Sequence, residues 1–174
     1  MKKIAMLAVL LAVSFVAKAQ NFYIENDKLV WQMVYNEDTP VNDIYKKMII
    51  SCDFASVEKI DSTTFFGIIR PFDFDYKKYG YARMQTPLYF LNYDIGPAYV
   101  IVECKEKRYR VTVQGICLTN VSSNFSPRGS KEAIEDYALT DGEQNQQLSS
   151  HIGPVLDKIF QEMFWYPLTE EEEW

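Results

Sequence analysis

The sequence predicts an α+β fold in which an antiparallel sheet is covered by helices on one face, giving a two-layer sandwich. Alternating apolar and polar residues near the middle of the chain are typical of a β-hairpin, and an amphipathic helical pattern stands on each side of it. The order of strand, helix, several antiparallel strands and helix is typical of two packed layers. With 174 residues, 48% of them hydrophobic, the chain has enough apolar side chains for one core.

The first strand and helix are predicted from the spacing of apolar residues, which changes from a strand pattern to a helical one. Residues Leu29–Tyr35 are apolar on both faces, as in a strand covered on at least one side. Thr39-Pro40 then resembles an N-cap followed by proline in the first helical turn, so a helix is predicted over Val41–Cys52. Its apolar positions have spacings of three and four: Val41, Ile44, Tyr45, Met48, Ile49 and Cys52.

Antiparallel strands are predicted next. A strand pattern begins at Thr63, continues over Phe72–Tyr76 and returns over Pro87–Tyr93. The clearest pattern is a hairpin of residues 99–105 with 108–118, closed by Glu106-Lys107. The register that gathers one apolar face is given by these pairs: Lys105 with Arg108, Cys104 with Tyr109, Glu103 with Arg110, Val102 with Val111, Ile101 with Thr112, and Val100 with Val113.

The rest of the chain is predicted to be loops and helices. After residue 120 the chain is polar, and a short helix is expected over Lys131–Leu139, followed by a loop. An amphipathic helix is expected over Ser150–Phe164, with Pro154 in its first turn, on the sheet face that the first helix covers. We therefore expect an N-terminal segment (20–28), one domain (29–166, divided at 120 into sheet with helix and loop with C-terminal helices) and an acidic tail (167–174).

The N-terminus has the pattern of an export signal. Lys2 and Lys3 precede an apolar run of about 14 residues, and Ala17-Lys18-Ala19 fits the small-x-small rule for signal peptidase. The alternative is a membrane anchor, but a spanning helix needs about 20 apolar residues. We therefore expect residues 1–19 to be a signal peptide, cleaved before Gln20, and the mature protein to be periplasmic or secreted without a transmembrane segment.

Charge and motifs exclude several functions. Without residues 1–19 the chain has 15 basic and 24 acidic residues, a formal charge of −9. Such a chain lacks the basic face that nucleic-acid binding normally needs, whereas a cationic partner or an envelope component fits the sign. No P-loop, GxGxxG, HExxH or CxxC motif occurs, and the single histidine, His151, is interpreted as a surface or capping residue. We expect no metal, no cofactor and no catalytic residue.

Two other sets of residues have alternative interpretations. Asp73 and Asp75 alternate with phenylalanines, so they are a pair of acid–base carboxylates, ligands of a calcium ion, or the polar face of a half-exposed strand, and the strand is favoured. Export permits disulfides, and Cys52 lies where it could reach either Cys104 or Cys117. The favoured interpretation is three buried free thiols.

Aromatic residues are concentrated around Gly80. Tyrosines near a loop offer rigid, amphipathic contact area to a partner, although large side chains are also needed to fill a core. The candidate binding residues are Tyr76, Tyr79, Tyr81, Tyr89, Phe90 and Tyr93.

These elements resemble a known family. The chain is similar to an uncharacterised exported bacterial domain family described as having a TATA-binding-protein-like (TBP-like) fold, over about residues 29–120. The resemblance rests on these features: the signal peptide ending Ala19-Gln20, Trp31-Gln32-Met33-Val34, Thr39-Pro40, Gly67-Ile68-Ile69, the hairpin and the C-terminal helix. It implies the fold and an envelope location, but no catalytic residues.

Two function classes follow. The first is an exported, non-catalytic module that binds a protein or another envelope component through the aromatic loop and the open sheet face. The second is a hydrolase that uses Asp73, Asp75 or another carboxylate, and inhibitor-like or structural roles are further alternatives. A contiguous exposed apolar patch favours binding, whereas a deep pocket with two convergent carboxylates of raised pKa favours an enzyme.

Overall fold

The fold is built on a six-stranded antiparallel sheet that helices cover on one face, as the sequence predicts. The computed structural model describes residues 21–87, 90–122 and 126–167. Its strands are β1 Phe22–Glu25, β2 Lys28–Tyr35, β3 Phe54–Lys59, β4 Thr64–Ile69, β5 Tyr93–Ile95, β6 Ala98–Lys105, β7 Arg108–Gln114, β8 Cys117–Asn120, β9 Lys131–Ala133, β10 Leu139–Thr140 and β11 Glu143–Gln144. The large sheet has the order β1-β2-β7-β6-β4-β3, and β5-β8-β9 and β10-β11 form smaller sheets.

The central hairpin has the predicted register. Each of the six predicted cross-strand pairs of β6 and β7 is present, from Lys105 opposite Arg108 to Val100 opposite Val113. The hairpin closes through Glu106 and Lys107, and Lys107 takes a left-handed backbone conformation (φ 57°). The prediction extended β7 to Leu118, but β7 ends at Gln114 and the chain crosses into the smaller sheet at β8.

Two strands of the large sheet were not predicted. Strand β1 joins β2 through Asn26 and Asp27, which both have positive φ, as type I′ hairpin turns require. Strand β3 is an edge strand with a bulge between Phe54 and Ser56, and most of its side chains are exposed. Edge strands carry charges and bulges more often than central strands, and this weakens their apolar alternation.

Three α-helices lie within the described residues: α1 Val41–Ile50, α2 Glu135–Ala138 and α3 Gly153–Met163. Thr39 does not cap α1, because its hydroxyl donates to the Tyr166 carbonyl at 2.6 Å. Pro154 lies in the first turn of α3, as predicted, after a π-helical turn over Leu148–Ile152. No described helix is long and apolar enough to cross a membrane.

One core joins the helices to the inward face of the large sheet. The Trp31 ring of β2 lies 5.3 Å from the Phe160 ring of α3 and 5.8 Å from the Phe164 ring, between centroids. Ile44 and Met48 of α1 belong to the same buried cluster. The Phe54 ring packs directly on Gly67 of β4, since a Cβ at that position would meet the ring at 2.7 Å.

Several predicted elements differ from the structure. Phe72–Tyr76 forms no strand beyond a single bridge from Phe72 to Ile95, and of Pro87–Tyr93 only Tyr93 lies in a strand. The predicted helix Lys131–Leu139 divides into β9, α2 and the start of β10, because residues 131–133 pair with β8. In α1, Ile49 is exposed rather than packed on the sheet.

Candidate functional site

The outward face of the large sheet is apolar at its centre. Alternation in β4 and β6 directs Phe66, Ile68, Tyr99 and Ile101 to this side, because their neighbours Phe65, Gly67, Val100 and Val102 are buried on the other. Ile68 lies opposite Tyr99, and Phe66 lies opposite Ile101. The Phe66 and Tyr99 rings stack at 5.9 Å between centroids. We call this surface, with Tyr23 of β1, the open face.

None of the open-face residues belongs to the core cluster. The buried residues of α1 and α3 pack with the inward side chains instead, so the described helices leave this side of the sheet uncovered. Tyr99 is 48% exposed and Tyr23 38%, which are large values for aromatic side chains in strands. Tyr99 also lies against the backbone, since a side chain at Gly115 would meet its ring at 2.8 Å.

Polar groups border the open face. Gln32 donates to the Thr112 hydroxyl at 3.0 Å, so this amide is held in place within the sheet. Arg110 forms an ion pair with Glu103, with Nη2 to Oε2 at 2.6 Å and Nε to Oε2 at 2.9 Å. An apolar centre with a hydrogen-bonded polar border is the usual anatomy of a protein-binding surface.

The aromatic loop is more closely integrated with the core than the sequence predicts. Tyr76, Tyr79 and Tyr81 are half-buried and pack against the core cluster. The Tyr79 hydroxyl donates to Glu162 of α3 at 3.0 Å, and the Lys78 ammonium lies 2.6 Å from the same carboxylate oxygen. The hydrogen bond from Lys78 lowers the pKa of Glu162, and burial, followed by the bond to Glu162, raises the pKa of Tyr79. The loop is therefore fastened to α3.

Two of the predicted binding aromatics are not on the surface. Phe90 is 2% exposed and Tyr93 3%, because both belong to the core. The Tyr93 hydroxyl donates to Glu132 Oε1 at 3.0 Å, and burial raises its pKa. Tyr89 lies outside the described residues. The predicted set thus separates into three half-buried tyrosines and two core residues.

The candidate carboxylates line one groove but have different surroundings. Asp73 and Asp75 both border an open groove of about 350 Å³. The Asp75 carboxylate accepts the Lys78 backbone N–H at 3.1 Å and so stabilises a turn. Asp94, which no sequence pattern indicated, has a pKa raised first by burial and then by the negative charge of Asp73. Asp73 is therefore a like-charged neighbour of Asp94 on β5.

The cysteines differ from the favoured prediction of three buried thiols. All three are free, but Cys52 is exposed and Cys117 is half-buried on β8, outside the hairpin. Only Cys104 is buried, and burial raises the pKa of its thiol to about 11. Cys104 is therefore protonated at neutral pH and acts as a small apolar side chain.

His151 is half-buried in the π-helical turn, and the Ser150 hydroxyl lies 2.7 Å from its Nδ1. Within residues 21–87, 90–122 and 126–167, no group of three or more histidine, cysteine or acidic side chains is arranged to hold a metal ion. The predicted signal peptide and the acidic residues Glu170–Glu173 lie outside the described residues.

The fold, but not the sequence, has matches among known proteins. No family model and no curated protein matches the sequence. A crystal structure of a TBP-like protein from Parabacteroides distasonis ATCC 8503 aligns with a TM-score of 0.51 and 13% identity, over 82% of this chain and 94% of that one. A DUF4468 family protein from Bacteroides ovatus ATCC 8483 aligns with a TM-score of 0.49 and 13% identity, over 86% and 94%. The first of these similarities supports a TBP-like fold for this chain.

Proposed function

We propose that this protein is an exported, non-catalytic module that binds a protein or another envelope component through the open face of its large sheet. The observation that carries the proposal is the exposure of Tyr99 beside Phe66, Ile68 and Ile101, on a side of the sheet that the described helices do not cover. Contiguous apolar surface bordered by polar residues is a mark of interaction sites.

The open face supports binding better than the aromatic loop does. Two of the six predicted loop residues are in the core, and Tyr79 donates its hydroxyl to α3. By contrast, Tyr99 presents a ring fixed between Phe66 and Gly115. A fixed aromatic ring loses little conformational entropy when a partner covers it, which favours affinity.

The charge of the chain restricts the partner. Its acidic balance repels phosphate, so the proposed partner is not a nucleic acid, although the namesake of the TBP-like fold binds DNA. A neutral or cationic protein surface fits better, and the Arg110–Glu103 pair at the border supplies both signs locally.

The hydrolase alternative has less support. Asp73 and Asp75 border the same groove, but one of them stabilises a turn and the groove is open. A carboxylate pair for acid–base catalysis needs pKa values that differ at a shared substrate position, and the raised pKa belongs to Asp94. If the unaltered chain hydrolyses a substrate, and Asp94→Asn and Asp73→Asn both lose that activity, the hydrolase alternative would be favoured over binding.

A site-specific crosslinking experiment tests the binding proposal. A photoreactive phenylalanine analogue is placed at Tyr99, or at Ile50 as a control, since Ile50 is 79% exposed on the helical side. In envelope extracts we expect a discrete crosslinked partner from position 99 and not from position 50. With that partner purified, Tyr99→Lys is expected to weaken binding by about tenfold or more, as for a central aromatic contact, and Ile50→Lys to leave it unchanged.

The opposite result is equally clear. If Tyr99→Lys retains its circular dichroism spectrum and binds the partner as tightly as the unaltered chain, the open face is not the binding surface. Export is tested separately, by measuring the mass of the protein recovered from the cell envelope or the medium. A chain that begins at Gln20 supports the predicted cleavage, and an intact N-terminus contradicts it.

A further inference from the structure

Strand β2 has an uncovered edge. Its partner β1 pairs only with residues 28–31, and the Asn21 carbonyl accepts the Gln32 N–H at 2.9 Å just beyond. From Met33 to Tyr35, β2 pairs with β7 on one side, and no other described strand lies on the other. The sheet therefore has a step where β1 stops and β2 continues.

The direction of the backbone groups at this step follows from the pairing. Gln32 directs its N–H away from β7 toward Asn21, and backbone groups of alternate residues in a strand point to the same side. The N–H and C=O of Val34 therefore point to the uncovered edge, where no described residue bonds to them. Val34 is 45% exposed, and an unpaired edge of this kind is a template for an incoming strand.

A cleft of about 510 Å³ adjoins this edge on the helical side. It is lined by Met33, Glu37 and residues of α3 and its following turn, including Glu162 and Trp165. Trp165 is 56% exposed, and its indole N–H points to Glu37 Oε1 at 3.4 Å. Because Glu162 is paired with Lys78, Glu37 is the carboxylate beside the exposed indole face, and this is a surrounding that a Lys or Arg side chain prefers.

We propose that the β2 edge at Met33–Tyr35 binds an extended segment of a partner protein by strand addition, with a Lys or Arg of that segment in the Trp165 cleft. In strand addition, main-chain hydrogen bonds give affinity and alternate side chains give specificity. Side chains opposite Met33 or Tyr35 would point to the helical side, where the cleft lies. A second copy pairing through the same edge fits poorly, because its residues 33–36 carry no Lys or Arg for the cleft.

The edge and the open face are separate surfaces, so each proposal can fail alone. The test uses the chain from Gln20, the predicted mature start, which keeps the Asn21 contacts with Gln32 and Asp157. The probe is a seven-residue peptide that alternates Val and Lys, compared with the same peptide carrying Glu in place of Lys. We expect the Val–Lys peptide to slow hydrogen exchange of the Val34 amide by about tenfold or more, to change Trp165 fluorescence, and to bind at least about tenfold more tightly than the Glu peptide.

Two variants separate edge pairing from other binding. Val34→Pro removes the edge-facing N–H without removing a β7 ladder bond, so we expect it to fold and to lose the peptide. Tyr99→Lys is expected to retain it. If Val34→Pro does not fold, backbone N-methylation of the peptide replaces it and is expected to abolish binding. Equal binding of the Glu peptide, no slowing at Val34, retention of the peptide by folded Val34→Pro, or a Val34-dependent dimer in sedimentation without peptide would each overturn the proposal.

Discussion

Asp94 shows how one side chain can couple stability to pH. It lies on β5, and the bridge from Phe72 to Ile95 brings Asp73 beside it. Burial, and secondly the charge of Asp73, raise the pKa of Asp94 above its usual value of about 3.9. A group whose pKa is raised on folding stabilises the fold fully below its unfolded pKa, and this contribution is lost as the pH rises through the folded pKa. At neutral pH the ionised Asp94 therefore destabilises the fold.

Replacing Asp94 should therefore stabilise the protein at neutral pH. We expect Asp94→Asn to raise the free energy of unfolding at pH 7 by about 0.5 kcal/mol, the scale of partly exposed charge interactions. The gain should shrink toward zero below about pH 4. Urea unfolding at pH 7 and pH 3.5 measures both, with Glu58→Gln on β3 as an exposed control. A gain that is the same at both pH values would contradict this cause.

Sequence patterns show where aromatic residues are concentrated but do not predict which of them are exposed. The aromatic loop was predicted from the number of tyrosines near Gly80, yet Phe90 and Tyr93 are buried and Tyr79 is bonded to α3. Local composition cannot distinguish these cases, because burial depends on contacts with distant residues such as Glu132 and Glu162. The open-face residue Tyr99 was predicted within the hairpin but was not selected as a binding residue.

At the scale of elements, two strands of alternating apolar and polar residues joined by a short turn have the register that the sequence predicts. The β6–β7 hairpin has every predicted pair, because a shift of one residue would exchange the faces of Val100, Val102 and their neighbours. Strand β3 was not predicted, because its bulge and charged residues obscure the alternation of apolar and polar side chains. The helix predicted over Lys131–Leu139 is shortened to α2, because pairing of residues 131–133 with β8 outweighs local helical preference there.

One hydroxyl group of β7 makes two hydrogen bonds with the turn that follows α3. The Tyr109 hydroxyl donates to the Phe164 carbonyl at 2.8 Å and accepts the Tyr166 N–H at 2.8 Å. Tyr109→Phe keeps the stacking with Tyr35 but leaves a buried donor and acceptor unpaired. We expect the free energy of unfolding to fall by about 1–3 kcal/mol, measured as a lower urea midpoint at unchanged slope.

Tyr35→Phe is the matched control for Tyr109→Phe. Tyr35 is also buried, but its hydroxyl only donates, at 3.1 Å to the Gln161 carbonyl and 3.4 Å to that of Phe160. The Phe160 carbonyl already accepts the Phe164 N–H, so the loss leaves fewer groups unpaired. We expect a smaller decrease, of about 1 kcal/mol or less. Equal decreases in the two variants would show that the two Tyr109 hydrogen bonds stabilise the fold no more than those of Tyr35.

Across the whole molecule, the two larger sheets share one core. Leu118 of β8 and Ile95 of β5 belong to the same buried cluster as Trp31 of the large sheet. Glu132 of β9 joins the parts of the smaller sheet, since it accepts hydroxyl bonds from Tyr93, Tyr137 and Ser126. Because a shared core unfolds as one unit, damage to the smaller sheet should lower the stability of the whole fold.

Glu132→Leu tests this cooperativity. The substitution keeps a side chain of similar size but removes the acceptor of three hydroxyls, among them the buried Tyr93 hydroxyl. We expect the unfolding midpoint to fall by the equivalent of about 1–3 kcal/mol, with circular dichroism and tryptophan fluorescence following one coincident transition. Lys131→Leu, exposed on the same strand, should change stability by less than about 0.5 kcal/mol. Loss of circular dichroism before any change in tryptophan fluorescence would mean that the smaller sheet unfolds alone, and that the two sheets do not form one cooperative unit.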